Sequence, residues 1–392
     1  MSVFNANLIA AAASPIMEAG SWVRDAVFPA NRPLLDLSQA APATPPPLPI
    51  REAMADAALH RTDAHFYGPV LGNDDLRAEI ATQWSAAYDG QIAPDQVAIT
   101  AGCNQAFCAA ISSVAGPGEA VMLPWPWYFN HKMWLDMAGI GCVPLPVGAD
   151  LMPDPDAVRA ALTPEVRALA LVSPNNPTGA EYPPELLAAL LDVCADAGVL
   201  MVLDETYRDF HSIPGAPHDL FAHPGWQKHF AHLYSFSKTF RLMGHRVGAL
   251  VTSAERLTQI EKFLDTMTIC PGQMGQIAAL HGLRHLGDWV AAEREVFAGR
   301  RALLRDLIAQ DLPDWTLHGA GAYFAWISPP GGRPSMETAR ALVREQSLLV
   351  LPGEMFVPTS EPTSALRIAF ANADEKGIRE TVARLASYTS SL

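Results

Sequence analysis

The sequence predicts an α/β protein: a three-layer sandwich around a mostly parallel central sheet, joined to a smaller α+β domain. Two observations predict it. From about residue 75 onward, short apolar runs alternate with helical stretches, and strand–helix alternation of this kind builds a parallel sheet with helices on its faces. From residue 286 the texture changes to one long amphipathic stretch followed by shorter strands. The 392 residues leave room for two such units.

The elements follow in chain order. Residues 8–13 are apolar but short, with no basic residue before them, so they do not read as a signal peptide. Five prolines between Pro42 and Pro49 fix φ and remove donors, which predicts extended, polyproline-like chain. That piece is a plain linker or a semi-rigid strap to a partner domain or subunit. Apolar runs at 97–100, 120–123, 142–145, 168–172, 200–203, 232–235 and 247–252 are bounded by Gly, Pro or charged residues, as strands buried on both faces are. Residues 184–197 carry Leu186, Leu187, Leu190 and Val193 at helical spacing. Residues 286–310 form a long helix with Trp289, Val290, Phe297, Leu304 and Leu307 on its apolar side. Strands at 323–327, 348–351 and 365–369 and a closing helix at 374–388 complete the smaller domain.

Composition narrows the function. Hydrophobic residues make up 49% and charged ones 17% of the chain, which excludes a disordered or coiled-coil protein. Lys+Arg 27 against Asp+Glu 41 leaves −14, unsuited to nucleic acid or an anionic membrane. No apolar run approaches the ~20 residues a membrane span needs. Cys103, Cys108, Cys142, Cys194 and Cys270 are odd in number and contain no C-x-x-C pair. They suit a reducing, cytoplasmic setting and no structural zinc site.

Four motifs sit where predicted strands end. Ser235-Phe236-Ser237-Lys238-Thr239-Phe240 is followed by Gly244-His245-Arg246-Val247-Gly248. A desolvated lysine with cationic neighbours becomes a nucleophile able to form a Schiff base, and Arg246 can hold a phosphate bidentately. A phosphate loop or a surface turn also fits S-x-S-K taken alone. Asp204-Glu205-Thr206-Tyr207 ends an apolar strand, where ligands of parallel sheets gather; a helix N-cap fits Asp204 as well. Ser173-Pro174-Asn175-Asn176-Pro177-Thr178-Gly179 is a turn that puts amide donors at the same sheet edge. Thr100-Ala101-Gly102-Cys103-Asn104-Gln105-Ala106 opens a helix whose N-terminal N–H groups could take a phosphate.

With these four motifs in this order, together with Pro126-Trp127-Tyr128 and Arg367-Ile368-Ala369-Phe370, the chain resembles the class I/II aminotransferases. These are fold-type-I enzymes that use pyridoxal 5′-phosphate. The resemblance runs from about Asp36 to Leu385. It implies that Lys238 holds the cofactor as an internal aldimine and shuttles the proton, and that Asp204 keeps the pyridine nitrogen protonated. It implies that Tyr207 and Asn176 bond the ring's O3′, and that Tyr128 stacks on the ring. The phosphate would lie on Gly102, Cys103 and Asn104, the hydroxyls of Ser235 and Ser237, and Arg246. Arg367 would grip the substrate α-carboxylate beside Asn176 and Ala40. Tyr67, in Tyr67-Gly68-Pro69, would reach the phosphate of a neighbouring subunit, making the enzyme a homodimer. The implied division is a large domain at 46–283 and a small one built from 1–45 and 284–392.

Two departures stand out. Ala40 occupies a position where many relatives carry glycine, and its methyl narrows the pocket. Arg241 stands where relatives carry a small or apolar residue, either as a second anion contact or as a rim charge. Trp125, Trp127 and Trp134 either line an apolar substrate pocket or pack in the core.

The implied activity is ping-pong transfer of an amino group from an L-amino acid to a 2-oxo acid. A β-eliminating C–S lyase of the same fold shares these motifs. A ligand-sensing regulator is a reading of a different class; the residues before Asp36 are too few for a winged helix.

Overall fold

The computed structural model describes residues 3–42, 44–213 and 216–390. Seven strands form the large sheet, in the order Val97–Thr100, Gly248–Val251, Phe230–Ser235, Leu200–Asp204, Val166–Val172, Ala120–Trp125, Gly141–Pro146. All pairings are parallel except those of Gly248–Val251, which runs antiparallel to both its neighbours.

Side chains alternate across this sheet with period two, and the alternation divides the core. Ile99, Met122, Leu169, Leu171, Met201 and Leu203 point to one side, where helices Asp74–Ala87 and Pro184–Ala197 bring Leu76, Ile80, Leu187 and Leu190. Ala98, Val121, Ala168, Ala170, Val202 and Leu233 point to the other, under helices Cys103–Ser112 and Ala254–Thr268. Helices on both faces explain why the strands read as near-continuous apolar runs. Gly141–Pro146 is the exception: it is half exposed at the sheet edge and carries Pro144 and Pro146, residues an edge strand tolerates.

The smaller sheet has the order Leu351–Pro352, Leu366–Ala369, Phe324–Ser328, Thr316–Gly321 and is antiparallel throughout. Helix Gly287–Asp311 packs Leu304 and Ile308 onto it, together with Leu342, Leu366, Ile368 and Leu385. Trp289, Val290 and Leu307 of that helix are only partly buried.

Several expectations are corrected. The run at 348–351 is two short strands: Leu348–Leu349 pairs in parallel with Leu35–Asp36, while Leu351–Pro352 joins the four-stranded sheet. Strand Thr316–Gly321 went unanticipated; Gly319 and Gly321 weaken its strand pattern. The proline-rich piece is extended only in part. Helix Leu48–His60 begins within it, with Pro49 in the first turn, where a missing N–H costs nothing. Ala43 lies outside the described residues. Among the described residues, no helix is long and apolar enough to cross a membrane.

The N-terminal segment is tied to the C-terminal one. Leu37 N donates to Leu349 O at 2.8 Å, and Ala369 N donates to Leu37 O at 3.0 Å.

Candidate active site

At the carboxyl ends of the central strands lies a cavity of about 310 Å³. Its walls include Cys103, Asn104, Tyr128, Asn176, Asp204, Tyr207, Ser235, Ser237, Lys238 and Arg246, all drawn from the sequence motifs. Gln39, Ala41, Asn130, Val172, Thr206 and Met243 line it as well and were not anticipated.

Strand Leu200–Asp204 delivers Asp204 fully buried at its tip. Thr206 N donates to its Oδ1 at 2.9 Å, and His131 Nε2 stands 3.5 Å from its Oδ2. No α-helix starts at Asp204; a short 3₁₀ turn, Arg208–Phe210, follows. Burial alone would raise the pKa of this carboxyl. The His131 ring close beside it and the donors of Thr206 hold it below the usual carboxylate value, so Asp204 is ionised. His131 was missed in the sequence. It sits in helix Phe129–Ala138, stacked on Phe107 at 3.7 Å between ring centres.

Lys238 lies in the short helix Phe236–Thr239, capped by Ser235 Oγ, which accepts from Ser237 N at 3.2 Å. Its Nζ donates to the carbonyl of Ala40 and stands 5.8 Å from the centre of the Tyr207 ring. Burial pushes its pKa down to about 8, and the charges of Arg367 and Arg246 push the same way. Burial raises the Tyr207 phenol well above its ordinary value and Tyr128 to about 12, so both remain protonated at neutral pH.

Arg246 donates through Nη1 to Met243 O at 3.0 Å and through Nη2 to Ala101 O at 3.3 Å. Gly102 makes this approach possible. Its φ is +88°, and a Cβ there would lie 2.3 Å from Arg246 Nη2. Gly102 therefore shapes the cavity without lining it. The thiol of Cys103, raised by burial and by Asp204, stays neutral.

Arg367, in strand Leu366–Ala369, is buried between Phe324 and Phe356, each ring centre 5.0 Å away. Nη1 donates to Asn176 Oδ1 at 2.8 Å, Nη2 donates to Ser38 O, and Nε has no partner among the described residues. Burial lowers its pKa to about 10, which leaves it cationic at neutral pH. Asn175 Oδ1 accepts from Thr178 N at 3.1 Å and from Thr178 Oγ1 at 2.8 Å, bracing the turn that presents Asn176. Gly179 closes that turn at φ +75°; a Cβ on it would lie 2.3 Å from Gly321 N.

The remaining expected residues lie elsewhere. The Ala40 methyl does not narrow the cavity: it packs with Tyr207, Phe324 and Ala369, and its carbonyl accepts from Lys238. Tyr67 is 80% exposed and borders a different groove, with Arg61 and Gln273. Arg241 pairs with Glu293 and covers Trp289 at 5.1 Å, so it is neither an anion contact in this cavity nor a free rim charge. Trp127 packs in the core with Phe107, Trp125 and Trp134 lie partly buried against the same cluster, and none of the three lines the cavity.

The arrangement brings together a neutralisable amine, a buried carboxylate, two phenols, an anion cradle and a buried guanidinium with an unbonded donor. Gly102's cradle, the orphaned Arg367 Nε and this donor set suit a planar phosphorylated cofactor and an amino-acid carboxylate. Among the described residues, no group of three or more His, Cys, Asp or Glu is arranged to hold a metal.

Residues 32–385 match the family described as aminotransferase class I and II. The aromatic aminotransferase ISS1 of Arabidopsis thaliana is 29% identical over 329 residues, 81% of this chain and 80% of that protein. The arginine–pyruvate transaminase AruH of Pseudomonas aeruginosa is 30% identical over 332 residues, 83% of each. The aspartate aminotransferase of Thermus thermophilus, solved with maleate, shares the fold with a TM-score of 0.88. The match covers 99% of this chain and 100% of that one, at 24% identity.

Proposed function

The chain belongs to the class I and II aminotransferases, and on that premise we propose that it binds pyridoxal 5′-phosphate around Lys238 and moves an amino group from an L-amino acid to a 2-oxo acid by a ping-pong route. The observation that carries this reading is the convergence of Lys238, Asp204, Tyr207, Asn176 and Arg246 on one cavity, with Arg367 behind Asn176. When bound, the cofactor supplies an electron sink for the bond broken at the substrate Cα.

The protein's part is binding, orientation and proton transfer. Arg246, the N–H groups of Cys103 and Asn104, and the hydroxyls of Ser235 and Ser237 hold the phosphate. Asp204, kept ionised, holds a proton on the ring nitrogen. Tyr207 and Asn176 bond the ring oxygen, and Tyr128 covers the ring face. Lys238 Nζ, with its lowered pKa, is a base at mildly alkaline pH and carries the proton between substrate and cofactor. Arg367 grips the α-carboxylate through its free donors and so fixes which Cα bond reacts. The backbone beside Ala40 forms the wall against which that carboxylate lies.

We read 46–283 as the large domain, and 1–45 with 284–392 as the small one. The protein is a cytoplasmic homodimer on this reading, with exposed Tyr67 crossing to the partner's phosphate site. The five free cysteines and the exposed Phe66 and Tyr67 support it.

The test is a half-reaction. Purified holoenzyme given an amino-acid panel and no acceptor is expected to release one 2-oxo acid per site, without ammonia. Stoichiometric ammonia with pyruvate from a β-thio amino acid would overturn transamination in favour of C–S cleavage.

A further inference from the structure

Outside the cavity, on the far side of the Lys238 turn, Asp209 gathers contacts that the proposed reaction does not use. Tyr234 OH donates to Asp209 Oδ2 at 2.6 Å, and Thr239 Oγ1 donates to the same oxygen. The two hydroxyls are themselves 2.6 Å apart. Arg294 Nε, from helix Gly287–Asp311, donates to the Asp209 carbonyl at 2.7 Å. Arg208 Nε stands 3.8 Å from Asp209 Oδ1.

We propose that Asp209 is the positioning residue for Lys238, acting through Thr239. Thr239 follows the lysine directly and ends its short helix. Tyr234 precedes the Ser235 cap by one residue, and its ring is fixed edge-on to Trp84 at 5.0 Å. One carboxylate therefore clamps the chain on both sides of Lys238.

The charge of the acceptor explains why an acidic residue suits this place. Each hydroxyl has one proton to give, and an ionised carboxylate only accepts. With both protons directed to Oδ2, the bonds are charge-assisted and about twice as strong as neutral ones. A neutral acceptor there could take the same two protons but without the charge, and the clamp would be about half as strong. Because Asp209 follows Tyr207 by two residues, the clamp also sets the Asp204–Tyr207 segment and the lysine in one frame. Lys238 Nζ then enters the cavity at a fixed place between Tyr207 and the Ala40 carbonyl.

This inference rests on Lys238 being the reactive lysine, and Lys238→Ala tests that reading by itself, since retained turnover there would remove it. The clamp is tested in the holoenzyme with Thr239→Val, which deletes only the hydroxyl, and with Asp209→Ala. Thr239→Val is expected to lower kcat about 10- to 100-fold, as small misplacements of a reacting group do, with KM within about twofold. It is also expected to shift the pH midpoint of the holoenzyme's visible absorbance by about half a unit or more, because the surroundings of Nζ change. Thr239→Ser is expected to restore both. Unchanged kcat and midpoint in Thr239→Val, or a fall in Tm with the midpoint in place, would overturn the proposal. Should Asp209→Ala fail to fold, Thr239→Val alone decides.

Discussion

Arg367 Nη1 donates to Asn176 Oδ1 at 2.8 Å, joining the small sheet to a turn at the edge of the large one. The guanidinium is held by Asn176 and Ser38 O before any substrate arrives, so little orientation is left to be lost on binding. Arg367→Ala is expected to raise KM for the amino acid, with a loss of about 2–5 kcal/mol in kcat/KM. Steady-state kinetics on the variant check this, and an unchanged KM would assign the carboxylate to another residue.

The state of Lys238 follows from its surroundings. Its folded pKa is about 8, below the ordinary lysine value, so the folded chain binds fewer protons than the unfolded one from about pH 8 upward to that value. Protein stripped of cofactor therefore gains stability as pH rises through this window. Carbamylation of Lys238 by cyanate is expected to rise with pH and level off just above pH 8, read by mass spectrometry of its peptide. A midpoint near pH 10 would mean that burial does not act as described.

Gly102 yields to Arg246, and an added methyl would not. Gly102→Ala is expected to displace the guanidinium and weaken cofactor binding about 10-fold or more, the cost of one lost charge-assisted contact. Titrating stripped protein with cofactor measures it. Equal affinity would show that Arg246 can reposition freely.

Gly179→Ala meets both a left-handed φ and the backbone of Gly321. A loss of at least about 2 kcal/mol in urea unfolding is expected, because every atom the methyl would meet, on Gly321 and Phe324, is backbone.

Arg241→Gln separates structure from chemistry. Its pairing with Glu293 is largely out of solvent, so stability is expected to fall by about 1 kcal/mol. KM for both substrates is expected to stay within about twofold, since Arg241 does not reach the cavity. A large KM change with unaltered stability would restore Arg241 as an anion contact.

The motifs that line the cavity were legible because each is a local event, a strand end followed at once by its chemical group. Lys238, Asp204 and Asn176 all belong to this class. What was not legible is long-range. His131 faces Asp204 through helix packing, and its only local signal is a histidine three residues after Tyr128. Asp209 reads as a surface acid until Tyr234 and Thr239 fold against it. Strand Thr316–Gly321 and helix Leu48–His60 were hidden by glycines and prolines, whose local preferences were outweighed by pairing and by a first-turn position. The break at Val350 is a change of sheet partner, and an apolar run does not record which neighbour it will meet.

The cavity wall at Gln39 and Ala41 comes from the beginning of the chain, but the segment that carries it is held by the chain's end. Ser38 and Arg367 are 329 positions apart, and contacts of such separation are costly and slow to close. During synthesis every strand of the large sheet leaves the ribosome before Arg367 does. The Ser38–Arg367 contact therefore waits on the C-terminal segment. A chain stopped ahead of Leu366 lacks the guanidinium that Ser38 O accepts from, so its substrate-carboxylate side has no Arg367 to hold it.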